Sequence, residues 1–289
     1  MNTKKIAASA LLLALLLGLA ACSSPSGNSS SDTPSAEDPV TYIELDEVLE
    51  AELYGIGFRN DDIALGLEVQ KHLDDMIADG TAAAISETWF GTDALLKDQT
   101  FLEQNEASEE DSSLQAILDK GKLVVGLDDS YPPMGFRDDS NTIVGFDIDL
   151  AREVASRMGV EVEFQPIAWS AKEMELDSGA IDCIWNGMTI TEERQGTMYF
   201  TKPYIANEQI IIVASNSGIA SKADLEGKII GHQAGSSSED ALMKDPVSEK
   251  VASVQTYEDN VTAYLDLQAG RIDALVVDSV VGRYMLSQD

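Results

Sequence analysis

The residues that could do chemistry are few, and their types limit what the chain can do. Asp278 follows an apolar run at residues 274–277 with the composition of a buried strand. A carboxylate there is costly to bury without a partner, so Asp278 is a candidate binding residue, and an N-cap role is the alternative. The two histidines and two cysteines form neither the histidine pair nor the cysteine cluster of a zinc site. We therefore expect no metal and no cofactor.

The elements that must position such residues alternate along the chain. Residues 123–127 form a short apolar run that predicts a buried strand, and residues 147–158 carry apolar side chains at helical spacing. Repeated alternation of strands and helices predicts α/β layers with mainly parallel sheets. Further strands are predicted at 160–164, 181–185, 210–214, 228–231, 251–255 and 274–277, and a further helix at 257–269.

An ordered series of motifs resembles family 3 of the extracellular solute-binding proteins, the polar amino acid receptors of ABC importers. The segment GAIDCIWNGMTITEER at residues 179–194 carries the strongest resemblance. The resemblance implies an α/β fold, namely the two-lobed, periplasmic-binding-protein-like type II (Venus flytrap) fold. In this fold, hinge strands join two lobes that close on the ligand. It also implies the function, which is to bind a free polar or cationic amino acid and deliver it to the permease subunits of an ABC importer. The supporting motifs are YPPM at 131–134, GFDIDLA at 145–151, FTKPY at 200–204, GSSS at 235–238 and GRIDA at 270–274.

One segment stands at the unexpected end of the chain. In the family, the elements around Asp278 are followed by a segment that returns to the first lobe, whereas this chain stops at Asp289. Residues 40–96 resemble that segment, so we predict a circular permutation, which is tolerated where domain termini lie close together at the surface. A segment swapped between two chains is the alternative. The matching motifs are YGIGFRND at 54–61, DGT at 79–81 and ISETWFG at 85–91. The predicted parts are 40–53 in lobe 2, 54–96 in lobe 1, an acidic joining linker at 97–112, lobe 1 at 113–205 and lobe 2 at 206–289.

The N-terminus has the composition of an export signal. Lys4 and Lys5 precede an apolar run that is short of the roughly 20 residues of a membrane span. The run ends in LAAC at 19–22, which resembles the lipobox of bacterial lipoproteins and implies that Cys22 is diacylated. An ordinary cleaved signal with a chance cysteine is the alternative. We predict a signal peptide at 1–21, a lipidated cysteine with a flexible tether at 22–39, and an extracytoplasmic location with the lipid at Cys22 in the cell membrane.

The resemblance assigns residues to the two charged ends of a bound amino acid. Arg194 would hold the carboxylate, because its planar guanidinium donates two parallel hydrogen bonds. Asp278 would hold the ammonium, together with the hydroxyl of Thr189 and the carbonyl of Gly187. Ser237 would donate its backbone N–H to the carboxylate from the other lobe, near a helix N-terminus.

Other positions would contact the ligand side chain. Tyr131 and Trp169 match the places where rings sandwich it, and ordinary core aromatics are the alternative. Asp128 matches a position that faces the side-chain pocket in relatives that bind cationic amino acids, which favours a polar or basic ligand. Gln233 is expected to face the same pocket. His232 replaces an expected apolar residue beside it, and we interpret it as a structural histidine.

Composition narrows the function classes. A formal net charge of −32, from 51 acidic and 19 basic residues, argues against nucleic acid binding and fits an exported, self-repelling monomer. Cys183 is the one cysteine apart from Cys22, so we expect no disulfide. We place Cys183 in the core. A periplasmic dehydratase-like enzyme is the main alternative function, but the motifs place no second acid near the ligand α-carbon, so we expect no catalysis. A ligand-sensing receptor that acts through a partner is a further alternative.

Overall fold

A computed structural model of the chain describes residues 39–97 and 106–289. Within it, Val40–Asp289 form a compact unit. The predictions of a signal peptide at 1–21, of lipidation at Cys22, of most of the tether and of the middle of the acidic linker lie outside the described residues. No helix in the described ranges has both the length and the apolar character needed to cross a membrane.

Ten strands of the described residues form a mixed sheet. They are β1 (Tyr42–Glu44), β2 (Glu50–Arg59), β3 (Lys122–Leu127), β7 (Glu161–Pro166), β8 (Cys183–Thr189), β9 (Met198–Phe200), β10 (Ile205–Ala214), β11 (Ile229–Gln233), β12 (Ser253–Tyr257) and β13 (Ala274–Asp278). The order is β12-β11-β13-β10-β2-β8-β3-β7, with β1 on β10 and β9 on β2. A separate antiparallel sheet holds β4 (Ser130–Tyr131), β5 (Gly135–Arg137) and β6 (Ile143–Val144).

Helices connect the strands and cover the sheet. They are α1 (Ile63–Asp79), α2 (Thr81–Phe90), α3 (Ser113–Lys120), α4 (Phe146–Met158), α5 (Lys172–Asp177), α6 (Glu192–Gln195), α7 (Ser237–Lys244), α8 (Asn260–Gln268) and α9 (Ser279–Gln288), with short 3₁₀ turns at Trp169–Ala171, Lys222–Leu225 and Pro246–Glu249. The predicted strands and helices agree with these elements within a few residues. The helical spacing at 147–158 corresponds to α4, which buries its apolar stripe from Phe146 to Ala155.

The strands β2 and β10 connect two halves of the sheet. They pair antiparallel with each other, with Tyr54 opposite Ile205. From Tyr54 onward β2 pairs with β8, and from Gln209 onward β10 pairs with β13. Parallel pairs flank them, β8-β3-β7 on one side and β13-β11-β12 on the other. We call the side of β3, β7 and β8 the first half and the side of β11, β12 and β13 the second half.

Burial of apolar side chains stabilises both halves. Trp185 of β8 and Phe146 of α4 are fully buried, and each such side chain contributes roughly 2–3 kcal/mol when removed from water. Cys183 lies at the start of β8, fully buried and without a disulfide. This confirms the prediction that Cys183 lies in the core. Burial raises the pKa of its thiol far above the ordinary value.

Candidate functional site

The residues predicted to bind an amino acid meet where the two halves of the sheet face each other. They enclose a cavity of about 10 Å³, close to the minimum that holds one water molecule. The cavity is lined by Tyr131, Trp169, Asn186, Gly187, Thr189, Arg194, Gln233, Ser236, Ser237 and Asp278. Eight of the nine predicted residues are in this set, and the ninth, Asp128, contacts Gln233 directly.

Arg194 reaches the cavity from the short helix α6, which follows the end of β8. The helix begins at an N-cap, Thr191, whose hydroxyl accepts the backbone N–H of Arg194 at 3.1 Å. Arg194 is 6% exposed. It donates to the carbonyl of Thr189 at 2.9 Å and, more weakly, to that of Gly235 at 3.5 Å. Among the described residues, the guanidinium thus donates to two neutral carbonyls. A buried cation with neutral partners of this kind can be stabilised by an anionic ligand.

Gly187 is positioned in β8 by its backbone and by a buried acid. Its φ is +58°, and a Cβ there would lie 2.9 Å from a ring carbon of Tyr131 and 3.0 Å from one of Tyr54, so both the conformation and the packing require glycine. Its N–H donates to Asp147 at 2.7 Å. Asp147 also accepts the hydroxyl of Tyr204 at 2.9 Å, and burial raises the pKa of its carboxyl to about 7.

Asp278 ends β13 in the second half and is 3% exposed. One carboxylate oxygen accepts the hydroxyl of Tyr54 at 2.7 Å and the side-chain amides of Asn207 at 2.6 Å and Gln209 at 2.8 Å. Burial raises the pKa of this carboxyl. Although Asp278 stands at the N-cap of α9, its side chain makes no capping hydrogen bond. The alternative of a structural N-cap is therefore wrong.

Glu52 is a further buried acid at the site, and the sequence reasoning missed it. One of its oxygens accepts Thr189 Oγ1 and Asn207 Nδ2 at 2.9 Å and Gln209 Nε2 at 2.8 Å. Burial raises the pKa of Glu52 to about 7, and the charge of the nearby Asp278 is the second cause of this increase. The motifs place no second acid near the ligand α-carbon, but the fold brings Glu52 into contact with the predicted binding residue Thr189. The signal was the alternation of β2, which puts Glu52 on the same face as Tyr54.

Ser237 brings the first turn of α7 against the first half of the sheet. Its hydroxyl lies 3.0 Å from Thr189 Oγ1 and accepts Gln209 Nε2 at 3.1 Å. Glu52 lies 3.3 Å from the same hydroxyl. The hydroxyls of Thr189 and Ser237 thus converge from the two halves on one carboxylate oxygen.

A buried lysine is another residue that the sequence reasoning missed. Lys172 opens α5 and is 4% exposed. Its ammonium donates to the carbonyl of Gly235 at 2.8 Å and lies 5.2 Å from the ring centre of Trp169. Burial, with Arg194 as the second cause, lowers the pKa of Lys172 to about 8. No motif that we compared includes this position.

The four residues predicted to contact the ligand side chain are all buried. The hydroxyl of Tyr131 is 3.1 Å from that of Tyr54, and Trp169 lies in a 3₁₀ turn before α5. Asp128 accepts the side-chain amide of Gln233 at 2.6 Å, and burial raises the pKa of Asp128. Gln233 in turn accepts from Asn260 at 2.9 Å.

His232 is fully buried in β11, directly before Gln233. Its Nδ1 lies 3.0 Å from the carbonyl of Gln233 and its Nε2 lies 3.4 Å from Thr256 Oγ1. Both ring nitrogens therefore have polar neighbours within the protein, as expected for a structural histidine.

Comparison with known proteins identifies the family of this chain. Residues 123–274, more than half of the chain, match the profile of the bacterial extracellular solute-binding proteins, family 3. The chain belongs to this family. The match spans both halves of the sheet and includes Arg194, Thr189 and Ser237.

Relatives of this family 3 protein are named as amino-acid-binding proteins. It is 36% identical over 167 residues to the L-cystine-binding protein TcyJ of Escherichia coli, covering 57% of this chain and 62% of that protein, less than two thirds of its length. It is 34% identical over 187 residues to a probable histidine-binding protein of Campylobacter jejuni, covering 64% of this chain and 71% of that protein.

A solved structure of a relative supports the fold of this family 3 protein. An ABC uptake transporter substrate binding protein from Streptococcus pneumoniae with bound histidine has a TM-score of 0.60 and 36% identity, covering 63% of this chain and 75% of that chain. The predicted two-lobed α/β fold of type II is therefore confirmed. From here on, we call the first half of the sheet with its helices the first lobe, and the second half with its helices the second lobe.

Proposed function

We propose that the protein is an extracytoplasmic receptor that binds a free polar or cationic amino acid between its lobes and delivers it to the permease subunits of an ABC importer. The observation that carries the proposal is the charge arrangement of the cavity. Within the described residues, Arg194 bonds to two neutral carbonyls, and Asp278 bonds to a hydroxyl and two amides. The cationic side chain of Arg194 and the carboxylate of Asp278 thus line one cavity, and the hydrogen bonds described here connect each of them to neutral groups.

A free amino acid carries both of the charges that these residues need. Its carboxylate would bind the Arg194 guanidinium, and its ammonium would bind Asp278 with the hydroxyl of Thr189 and the carbonyl of Gly187. Micromolar binding corresponds to about −8 kcal/mol, and charge-assisted hydrogen bonds of about 1.5–3 kcal/mol each are adequate for that affinity.

Closure of the lobes would complete this site. The binding residues come from both lobes, with Arg194 and Thr189 on the first and Ser237 and Asp278 on the second. The cavity of about 10 Å³ is too small for an amino acid, so the lobes must separate to admit one. A ligand that contacts both lobes then favours the closed form, since it binds that form better than the open one.

The relatives and the side-chain end of the cavity support a polar or cationic ligand. The relatives are named for L-cystine and histidine. Asp128 and Gln233, both buried, form the polar end of the site. A buried carboxylate there favours a side chain that donates hydrogen bonds or carries positive charge.

Calorimetric titration of two variants tests the proposal. Arg194→Ala and Asp278→Ala should each weaken binding of the amino acid at least tenfold, because each removes a charged partner from one end of the buried ligand. Arg271→Ala is the matched control, since the Arg271 side chain is 60% exposed. Wild-type affinity in either site variant would refute the assigned roles.

The lipid anchor is a separate part of the proposal and rests on the LAAC motif that ends at Cys22. A diacylated Cys22 would hold the receptor at the outer face of the cell membrane through the serine-rich tether. Expression of the full chain in a bacterium fed labelled palmitate should give a labelled protein, and Cys22→Ala should abolish the label. An unlabelled wild-type protein would refute the anchor.

The circular permutation and a monomeric state are also part of the proposal. Residues 40–96, which lie outside the family match, supply β2 between β8 and β10 and the helices α1 and α2. The Tyr42 ring packs 5.6 Å from that of Tyr264, and the Tyr264 hydroxyl donates to the Asp289 carboxylate. Tyr42 and Asp289 are thus neighbours on the second lobe, which supports a join there in the usual family order.

A further inference from the structure

Two buried cations of the first lobe point at one carbonyl of the second lobe. Lys172 Nζ donates to the Gly235 carbonyl at 2.8 Å, and an Arg194 guanidinium nitrogen lies 3.5 Å from the same oxygen. The Lys172 side chain is 5% exposed. The Trp169 ring, 5.2 Å from the ammonium, stabilises it by a cation–π contact.

Each of the acids that act on the Lys172 ammonium does so more weakly than Arg194. Within the described residues, the acid within 4 Å of Lys172 Nζ is Glu173, at 3.8 Å with a side chain that is 55% exposed. Glu239 and Asp240 of α7 act on Lys172 from the other lobe, but more weakly than Arg194. Two like charges buried around a neutral carbonyl are costly.

The position of Lys172 in its helix makes the cost larger. Lys172 is the first residue of α5, and the positive end of the helix dipole disfavours a cation there. Burial and Arg194 also disfavour the charged form and lower the pKa of Lys172 to about 8. An anion placed between Lys172 and Arg194 would remove this penalty.

We propose that Lys172 is a second cationic binding residue for the ligand carboxylate and acts with Arg194 when the lobes close on Gly235. This inference rests on the proposed function, because the carboxylate is that of the bound amino acid. Gly235 suits the contact: its φ is +65°, and a Cβ there would lie 3.1 Å from Ser170 Cα. The turn before Lys172 and the Gly235 loop therefore pack too closely for a side chain between them.

A pH-dependent affinity follows from this role. The carboxylate binds the protonated lysine, so affinity depends on the fraction of Lys172 that carries its proton. With a pKa of about 8, that fraction falls about tenfold between pH 7 and pH 9. Arginine at this position keeps its charge throughout that range.

The experiment is calorimetric titration with L-arginine, L-histidine and L-cystine at pH 7 and pH 9. Lys172→Met should weaken binding at least tenfold at pH 7. The ligand ammonium also loses protons in this pH range, but it does so equally with both proteins. Because only the wild type also loses the charge at position 172, it should lose about tenfold more affinity than Lys172→Arg between the two pH values. Lys71→Met, with a side chain that is 59% exposed, is the matched control.

The outcomes separate this inference from the proposed function. If the wild type binds none of the three amino acids, the proposed function fails and the inference fails with it. If the wild type binds and Lys172→Met stays within twofold of it, the inference alone is wrong. If Lys172→Met does not fold, an identical pH profile in the wild type and Lys172→Arg still overturns the inference.

Discussion

Replacing Glu52 with glutamine should stabilise the unliganded protein above neutral pH. One carboxylate oxygen of Glu52 accepts from Thr189, Asn207 and Gln209. Glutamine has the same shape and can present its carbonyl oxygen to the same donors. The substitution therefore removes a buried negative charge beside Asp278 and retains the hydrogen bonds.

The magnitude follows from the pKa of Glu52, which rises from 4.5 to about 7 in the folded protein. A raised pKa means that the folded state holds this proton more tightly than the unfolded state. The resulting stability is fully present below pH 4.5 and is lost as pH rises to about 7. At about 1.4 kcal/mol per pKa unit, Glu52 accounts for a loss of about 3 kcal/mol across that window.

Urea denaturation of the wild type and Glu52→Gln at pH 5 and pH 8 measures this effect. The difference in free energy of unfolding between the two proteins should shift by about 2–3 kcal/mol in favour of the variant between these pH values. Glu50→Gln, on the exposed start of the same strand, is the control and should show no such shift. A pH-independent difference for Glu52→Gln would refute the reasoning.

Two further predictions concern the site and the chain order. Gly187→Ala should lower both stability and amino acid affinity, because its Cβ would lie about 3 Å from the rings of Tyr131 and Tyr54; a wild-type melting temperature and affinity would contradict this. A chain with residues 40–96 moved behind Asp289 should remain folded and bind as the wild type does, as measured by circular dichroism and calorimetry. An insoluble product, or a wild-type dimer that exchanges segments on light scattering, would contradict the permutation.

The elements could be predicted because their signals are local. The run at 123–127 and the helical spacing at 147–158 each reflect burial of one face, and both correspond to observed elements. Several residues of the cavity, such as Tyr131, Gly187 and Ser237, could be predicted from motifs that are contiguous in the chain. Arg194, for example, lies five residues after Thr189, whose carbonyl accepts its guanidinium.

The missed residues depend on contacts between distant parts of the chain. Glu52 joins the site only because β2 lies between β8 and β10, and its partner Gln209 is 157 positions away. Lys172 is one of several charged residues in its segment, and its burial depends on Gly235 of the other lobe. Nothing local distinguishes a buried lysine of this kind from a solvated one.

Binding of an amino acid by both of its charged ends is tested most directly with blocked ligands. L-arginine, L-histidine and L-cystine would be titrated into the purified protein by calorimetry, followed by the methyl ester and the N-acetyl form of whichever binds. We predict that at least one free amino acid binds with micromolar affinity or better, about −8 kcal/mol, and that each blocked form binds at least tenfold more weakly. Equal binding of either blocked form, or no binding of any free amino acid, would contradict the proposed receptor function.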